Sequence, residues 1–244
     1  MMYVRSCMGR VILPVLLTLV ATSPSISNAE VQSAQVLIKE VKGAATYATS
    51  VGGKFKSLHN KMTLTHGAVI KTGADGIVDL MLNSSKTALR LRPNSELRLD
   101  KLTQEPGGEA VITESSLNLV SGSIVGVQRK LAAPSKFQIK MGGGVATIVG
   151  TEYLVRADGA VTVLSGSVEV NFNLPGGGGS IHAIIPAGYS FDPATGQVVP
   201  TSPAFLQNII ADVETTKQNA MSFKVGGANV VVKAEKEISP TTAP

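Results

Sequence analysis

The sequence predicts an all-β fold followed by one amphipathic helix. Apolar and polar residues alternate with a period of two through most of residues 35–173, and Gly, Asn, Asp and Ser interrupt the alternation at the spacing of turns. Only residues 203–223 show helical spacing. An apolar content of 43% excludes a wholly disordered chain. Aromatic residues are 4% and Trp is absent, so there are few stacking platforms for single-stranded nucleic acid or sugars.

The first half of the β region reads as a series of short strands. Residues 35–47 form a first strand-like segment, and residues 51–54 a turn. Because successive strand residues point to opposite faces, each later set of alternating apolar residues should bury one face. These sets are Val78, Leu80 and Leu82; Leu89 and Leu91; Leu97 and Leu99.

Residues 145–173 give the clearest strand pattern. Asp158 and Gly159 divide it, and this pair favours a tight hairpin turn. Residues 142–144 and 175–180 are glycine-rich and lack the ending of a phosphate-binding loop, so we expect turns. The second of them should be a long hairpin loop, although its composition also suits a linker. A mixed α+β domain remains the alternative to the all-β fold.

The helix should start near Ser202, a suitable cap, with Pro203 in its first turn. Phe205, Ile209 and Val213 share one stripe, which should pack on the β domain or on a partner. Residues 229–232 suggest a last strand, and the chain should end in a disordered tail. We therefore divide the chain into a β domain over 30–200, the helix over 201–224, and the final strand and tail over 225–244.

The N-terminus indicates export. Arg5 and Arg10 precede an apolar run over residues 11–20, and a small-residue stretch ends at Ala29. This order is typical of a secretory signal peptide over residues 1–29, and the run is short for a membrane span. Cleavage would remove Cys7, the only cysteine, and would lower the formal net charge of +5 by two. We expect a periplasmic or secreted product without a membrane span, with a retained anchor as the alternative.

An ordered series of short motifs resembles the FecR domain family over about residues 40–172. Taken in order, the segments that carry the resemblance are Gly67-Ala68-Val69-Ile70-Lys71-Thr72-Gly73, Val78-Asp79-Leu80, Ala88-Leu89-Arg90-Leu91, Pro93-Asn94-Ser95-Glu96-Leu97, Leu119 to Ile124, Val149-Gly150-Thr151-Glu152-Tyr153 and Val163 to Val170. Val149 stands where the family pattern has an arginine.

The resemblance implies a short twisted β-solenoid or a jelly-roll-like structure that mediates protein contacts or envelope sensing and is not known for catalysis. The regulator that gives the family its name holds a sigma factor through a cytoplasmic segment. This chain has only residues 1–10 before its apolar run, so the sigma-binding part is expected to be missing.

No combination of residues in the sequence points to a catalytic, metal or cofactor site. His59, His66 and His182 lack the spacing of zinc ligands, and no nucleophile elbow occurs. Asp75 and Asp79 are a weak calcium signal. Glu152 with Asp158 or Glu169 is the pair that a hydrolase would need, and Glu152 should face solvent. We predict no enzyme and no cofactor.

Three arginines are the candidate partner-binding residues. Arg90, Arg92 and Arg98 should lie on the polar faces of two neighbouring strands, where they could form a basic stripe for an envelope protein or an anionic polymer. A solvated outer face is the alternative.

Export and the modest charge disfavour nucleic acid. The function expected is that of an exported binding module; the alternatives are a self-assembling envelope protein and a hydrolase. The oligomeric state stays open.

Overall fold

The computed structural model describes residues 31–107, 110–225 and 228–231, and most of them form strands. The predicted signal peptide and most of the predicted tail lie outside these residues. The first nine strands are β1 (Gln32–Ser33), β2 (Val36–Lys42), β3 (Ala45–Ala48), β4 (Lys56–Ser57), β5 (Thr63–Leu64), β6 (Val69–Thr72), β7 (Ile77–Leu82), β8 (Thr87–Leu91) and β9 (Glu96–Gly107). The next eight are β10 (Ala110–Ser121), β11 (Ser123–Gln128), β12 (Lys136–Met141), β13 (Gly144–Arg156), β14 (Val161–Asn173), β15 (Ser180–Pro186), β16 (Tyr189–Asp192) and β17 (Gln197–Pro200). Helix α1 (Pro203–Met221) and the hairpin of β18 (Ser222–Val225) and β19 (Ala228–Val231) follow.

Strands β1 to β17 form one sheet that folds over on itself into two arms, and β18 and β19 form a separate two-stranded sheet. The first arm contains β2, β7, β8 and β11 in that spatial order, all antiparallel. The second arm contains β3, β6, β9, β10 and β12, and its β10–β12 pair is parallel. The all-β class with one C-terminal helix is confirmed. Nearly all strand pairs are antiparallel, and the sheet curls into a half-barrel.

The long hairpin of β13 and β14 joins the two arms. The first part of β13 pairs with β12, and its last part pairs with β11. Gly159 turns the hairpin with a φ of +102°, as the Asp-Gly pair predicts. At the far end, Asn173 pairs with Ser180, so the glycine-rich segment between them is a hairpin loop and not a linker.

One hydrophobic core lies between the arms. The alternating residues predicted to face inward do so: Leu80, Leu89 and Leu91 of the first arm are at most 1% exposed, as are Leu97 and Leu99 of the second. All five belong to one cluster. Burying each such side chain stabilises the fold by about 1.5–3 kcal/mol, so this core is the main stabilising feature.

The chain changes arm at several connections, and two of them correct the sequence prediction. The predicted strand over 35–47 is interrupted at Gly43, whose φ of +63° sends β2 into one arm and β3 into the other. Residues 93–95 carry the chain from β8 to β9 in the same way. Thr72 fastens this second turn, because its hydroxyl donates to the Arg92 carbonyl at 2.7 Å and accepts from the Ser95 amide at 2.9 Å.

Helix α1 packs on the outer face of the first arm. Ser202 caps its start, as expected, and accepts from the Phe205 amide at 3.3 Å. Ile209 and Val213 are buried against Val125 and Leu154 in a small cluster separate from the main core. Within the part of the chain that the structure describes, no helix is both long and apolar enough to cross a membrane.

A charged face beneath the C-terminal helix

The outer face of the first arm carries a row of four residues that lie side by side on four strands. Asp79 pairs with Arg90, Arg90 with Val125, and Val125 with Leu154 across the ladder. Since side chains directly opposite each other on one face are neighbours, this register alone brings the carboxylate of β7 against the guanidinium of β8. Helix α1 covers the row.

Arg90 and Asp79 form a buried, two-pronged ion pair. Arg90 Nε donates to Asp79 Oδ1 and Arg90 Nη2 donates to Asp79 Oδ2, both at 2.8 Å. The side chains are only 6% and 4% exposed. The hydrogen bond to Asp79 outweighs the effect of burial and raises the pKa of Arg90. The guanidinium and the carboxylate therefore satisfy each other's hydrogen bonds within the chain.

The helix adds a second carboxylate to this pair. Asp212 Oδ1 lies 3.4 Å from Arg90 Nη1, and Asp212 Oδ2 lies 3.1 Å from Arg92 Nε. Arg92 is about one-third exposed at its side chain and Asp212 about one-quarter. Asp212 therefore forms ion pairs with the guanidinium groups of both arginines on their solvent side. A carboxylate of a partner would have to replace it.

The end of the helix is held by two further polar contacts. Lys217 Nζ lies 2.8 Å from Glu152 Oε1 on β13 and 2.9 Å from Glu214 Oε1. Burial would lower the pKa of Lys217, but the hydrogen bonds to these two carboxylates raise it overall. Asn219 donates to Glu40 at 2.7 Å and also to Asp79. These polar contacts add to the apolar packing of Ile209 and Val213, which also attaches the helix to the sheet.

Arg98 lies apart from the other two candidate arginines. Its neighbours on β9 face the core from the second arm, so Arg98 lies on the outer face of that arm. It donates to Glu96 at 3.0 Å, and Lys71 lies 3.1 Å from the same carboxylate. The expected single stripe does not form, because β8 and β9 are not neighbours: residues 93–95 place them in different arms.

The acidic residues that form ion pairs with Arg90 and Arg92 were not predicted from the sequence. Asp79 interrupts an apolar strand pattern one strand before Arg90, and that interruption is a usable sign of a buried pair. Asp212 lies 122 residues from Arg90. No local pattern could place it, because the docking of the helix alone brings the two together.

Glu152 and Asp158, one of the two carboxylate pairs considered for hydrolysis, do not converge. Glu152 lies midway along β13 and binds Lys217, so it is only partly solvent-facing. Asp158 lies beyond the end of that strand and binds Arg156 at 2.6 Å. Four strand residues alone separate them by about 13 Å, more than the roughly 5–10 Å that a glycosidase pair spans. Within residues 31–107, 110–225 and 228–231, no three His, Cys, Asp or Glu side chains gather as metal ligands.

Residues 68–169 match the family described as "FecR protein". Two crystal structures, at 1.65 and 2.50 Å resolution, of a Parabacteroides distasonis protein proposed to be an anti-sigma factor are similar to the chain. Each aligns at 14% identity and a TM-score of 0.41, over 55% of this chain and 59% of the other. The chain thus spans well under two-thirds of the length of those structures. No curated protein matches the chain significantly.

Proposed function

We propose, from the premise that residues 68–169 form a FecR domain, that this protein is an exported, non-enzymatic binding module of the cell envelope that serves sensing or signalling. The FecR family is regulatory and not catalytic, which favours a binding role. The binding surface in this proposal is the helix-covered face of the first arm, and the ligand is an acidic surface of an envelope protein or polymer.

The position of Asp212 carries this proposal. A carboxylate of the chain's own helix already contacts the two arginines on that face, at 3.1 Å from Arg92 and 3.4 Å from Arg90. An acidic partner would make the same contacts in its place. Because Arg92 and Asp212 are both part-exposed, breaking that ion pair costs little, whereas the buried Asp79–Arg90 pair keeps the surface in place.

The test measures the binding of an acidic polymer by isothermal titration calorimetry. Asp212→Asn frees the arginines, and we expect it to tighten the binding of polyglutamate about two- to fivefold, the range of an exposed ion pair. Asp100→Asn is the matched control, since Asp100 makes the same kind of pair with Lys140 at 2.8 Å on the other arm. Adding Arg92→Gln to Asp212→Asn should remove the gain.

Two outcomes would decide against the proposal. Equal affinities for the Asp212 and Asp100 variants would mean that net charge alone drives binding. A gain that survives Arg92→Gln would mean that another surface binds the polymer. Polygalacturonate, used in parallel, separates an acidic polysaccharide from an acidic protein as the preferred partner.

A further inference from the structure

The next row of the same face lies beside the end of the helix, and three of its five residues are apolar. Met81 pairs with Ala88, and Ala88 pairs with Val127, so the three side chains lie side by side on β7, β8 and β11. Glu152 and Ser165 continue the row on β13 and β14. Most rows that face solvent in an antiparallel sheet are polar, so a row with three apolar residues beside a docked helix indicates a binding surface.

The row forms the floor of a groove of about 620 Å³. The last turns of α1 make one wall through Lys217, Ala220 and Met221. The start of β8 and the end of β11 make the other wall, where Lys86 and Arg129 lie. A groove of this size falls within the range of about 300–1,000 Å³ for small-molecule sites. Its floor and one wall are suited to an unbranched apolar chain.

The two cations of the second wall form no ion pair among the described residues, although Glu105 lines the neighbouring cleft with them and Glu152 lines the groove. Thr87 pairs with Gln128, so the adjoining Lys86 and Arg129 lie at the same end of their strands. Both side chains belong to exposed residues, and neither makes an ion pair with any residue that the structure describes. A negatively charged group at the edge of the groove would therefore meet two free cations.

We propose that this groove binds a monomeric single-chain amphiphile with an anionic headgroup. Its tail lies along Met81, Ala88 and Val127 against the end of α1, and its headgroup contacts Lys86 and Arg129. The two cations favour a ligand with a negatively charged headgroup, and the apolar floor favours a ligand with a hydrocarbon tail. This proposal goes beyond the proposed function and does not depend on Arg92 or Asp212. Each of the two proposals can therefore fail while the other holds.

The test titrates the full chain with decanoate below its micelle concentration. Isothermal calorimetry gives the affinity, and carbon-13 methyl spectra locate the site through the signals of Met81, Ala88, Val127 and Met221. We expect those four signals to move first. We also expect the affinity to rise about fourfold for each methylene added to the tail until the groove is full.

Charge variants test the headgroup contact. Lys86→Gln and Arg129→Gln should each weaken decanoate binding about two- to fivefold, as for a part-exposed ion pair. Lys130→Gln is the matched control, since Lys130 is the next cation along the chain and lines only the neighbouring polar cleft. Decanol, with the same tail and no charge, should bind the native protein as weakly as decanoate binds a variant that carries both Lys86→Gln and Arg129→Gln.

Steric variants test the tail contact. Ala220→Leu fills the helix wall and Ala88→Leu fills the floor, and each should reduce decanoate binding at least tenfold. Thermal unfolding checks that each variant is folded, and two positions are used so that a loss of folding in one leaves the other informative.

Three results would overturn the proposal. Acetate that binds as tightly as decanoate would assign the cations to a small anion in the polar cleft. Decanoate binding that survives both leucine variants would place the tail elsewhere. Binding to phosphatidylglycerol vesicles without binding to decanoate would identify a membrane surface instead of a monomeric ligand.

Discussion

At the residue scale, the Asp79–Arg90 pair is the most consequential polar contact. Both side chains are almost fully buried, so removing the Asp79 charge leaves Arg90 away from water with only the more distant Asp212, at 3.4 Å, as a counter-charge. We expect Asp79→Asn to lower the free energy of unfolding by about 3–5 kcal/mol, the cost typical of breaking a buried pair. Urea unfolding followed by circular dichroism measures the change.

The exposed Arg156–Asp158 pair provides the control for that variant. Both of its side chains are about half exposed, although the atoms lie only 2.6 Å apart. We expect Asp158→Asn to change the free energy of unfolding by less than about 1 kcal/mol. Equal effects of the two variants would show that the Asp79–Arg90 pair is not buried in solution.

Replacing Tyr153 should stabilise the fold, whereas replacing Asp79 should destabilise it. Its ring fills space that Gly126 leaves on the facing strand, where a Cβ would overlap the ring. Its hydroxyl is buried and has no hydrogen-bond partner among the described residues, and burial raises its pKa. Tyr153→Phe removes this unpaired group, and we expect the free energy of unfolding to rise by about 1–3 kcal/mol. Differential scanning calorimetry would show a higher Tm, whereas a lower Tm would reveal a partner for the hydroxyl.

Glu96 contributes to stability in a way that depends on pH. Burial would raise the pKa of Glu96, but hydrogen bonds from Lys71 and Arg98 lower it below its ordinary value of 4.5. A lowered carboxylate pKa stabilises the fold above that ordinary value, and the contribution disappears as the pH falls through the lowered pKa. We therefore expect Glu96→Gln to lose less stability than the native protein on acidification below 4.5.

Urea midpoints at a series of pH values test this dependence. Glu114→Gln is the control, because Glu114 also pairs with a lysine but is about half exposed. If native protein and Glu96→Gln lose stability in parallel, the Lys71–Glu96–Arg98 cluster does not form in solution.

At the element scale, helix α1 should detach before the sheet unfolds. Its apolar contact is the small cluster of Ile209 and Val213 with Val125 and Leu154, separate from the main core. We expect Val213→Asp to release the helix and to expose Lys217 to trypsin, with little change in the sheet. Phe205→Asp is the control, since Phe205 is 40% exposed on the same helix. Unchanged trypsin cleavage after Lys217 in the Val213 variant would contradict this attachment.

The elements were more predictable than their partners. Alternation identified which leucines face inward, because the period of two depends only on local backbone geometry. The helix was equally readable from its spacing and its cap. The neighbours of each strand in the sheet could not be predicted, because strands adjacent in sequence, such as β8 and β9, lie in different arms. The connections between the arms decide which strands are neighbours. Those at Gly43 and at residues 93–95 depend on backbone conformations that the alternation of apolar and polar residues does not reveal.

At the scale of the whole molecule, one folded sheet supplies two outer faces with different charge arrangements. The second arm neutralises its cations within the sheet, as in the cluster of Lys71, Glu96 and Arg98. The first arm leaves Arg92 to be neutralised by the helix through Asp212. The arginines singled out from the sequence therefore differ in availability, and the partner-binding role proposed for Arg92 depends on the position of α1.

Hydrogen exchange, read by mass spectrometry with and without polyglutamate, tests that dependence most directly. If an acidic ligand replaces Asp212 on Arg92 and Arg90, the amides of α1 should lose protection on binding while those of β13 and β14 keep theirs. Unchanged or increased protection of α1 in the saturated complex would contradict the account, because the ligand would then be bound without displacing the helix.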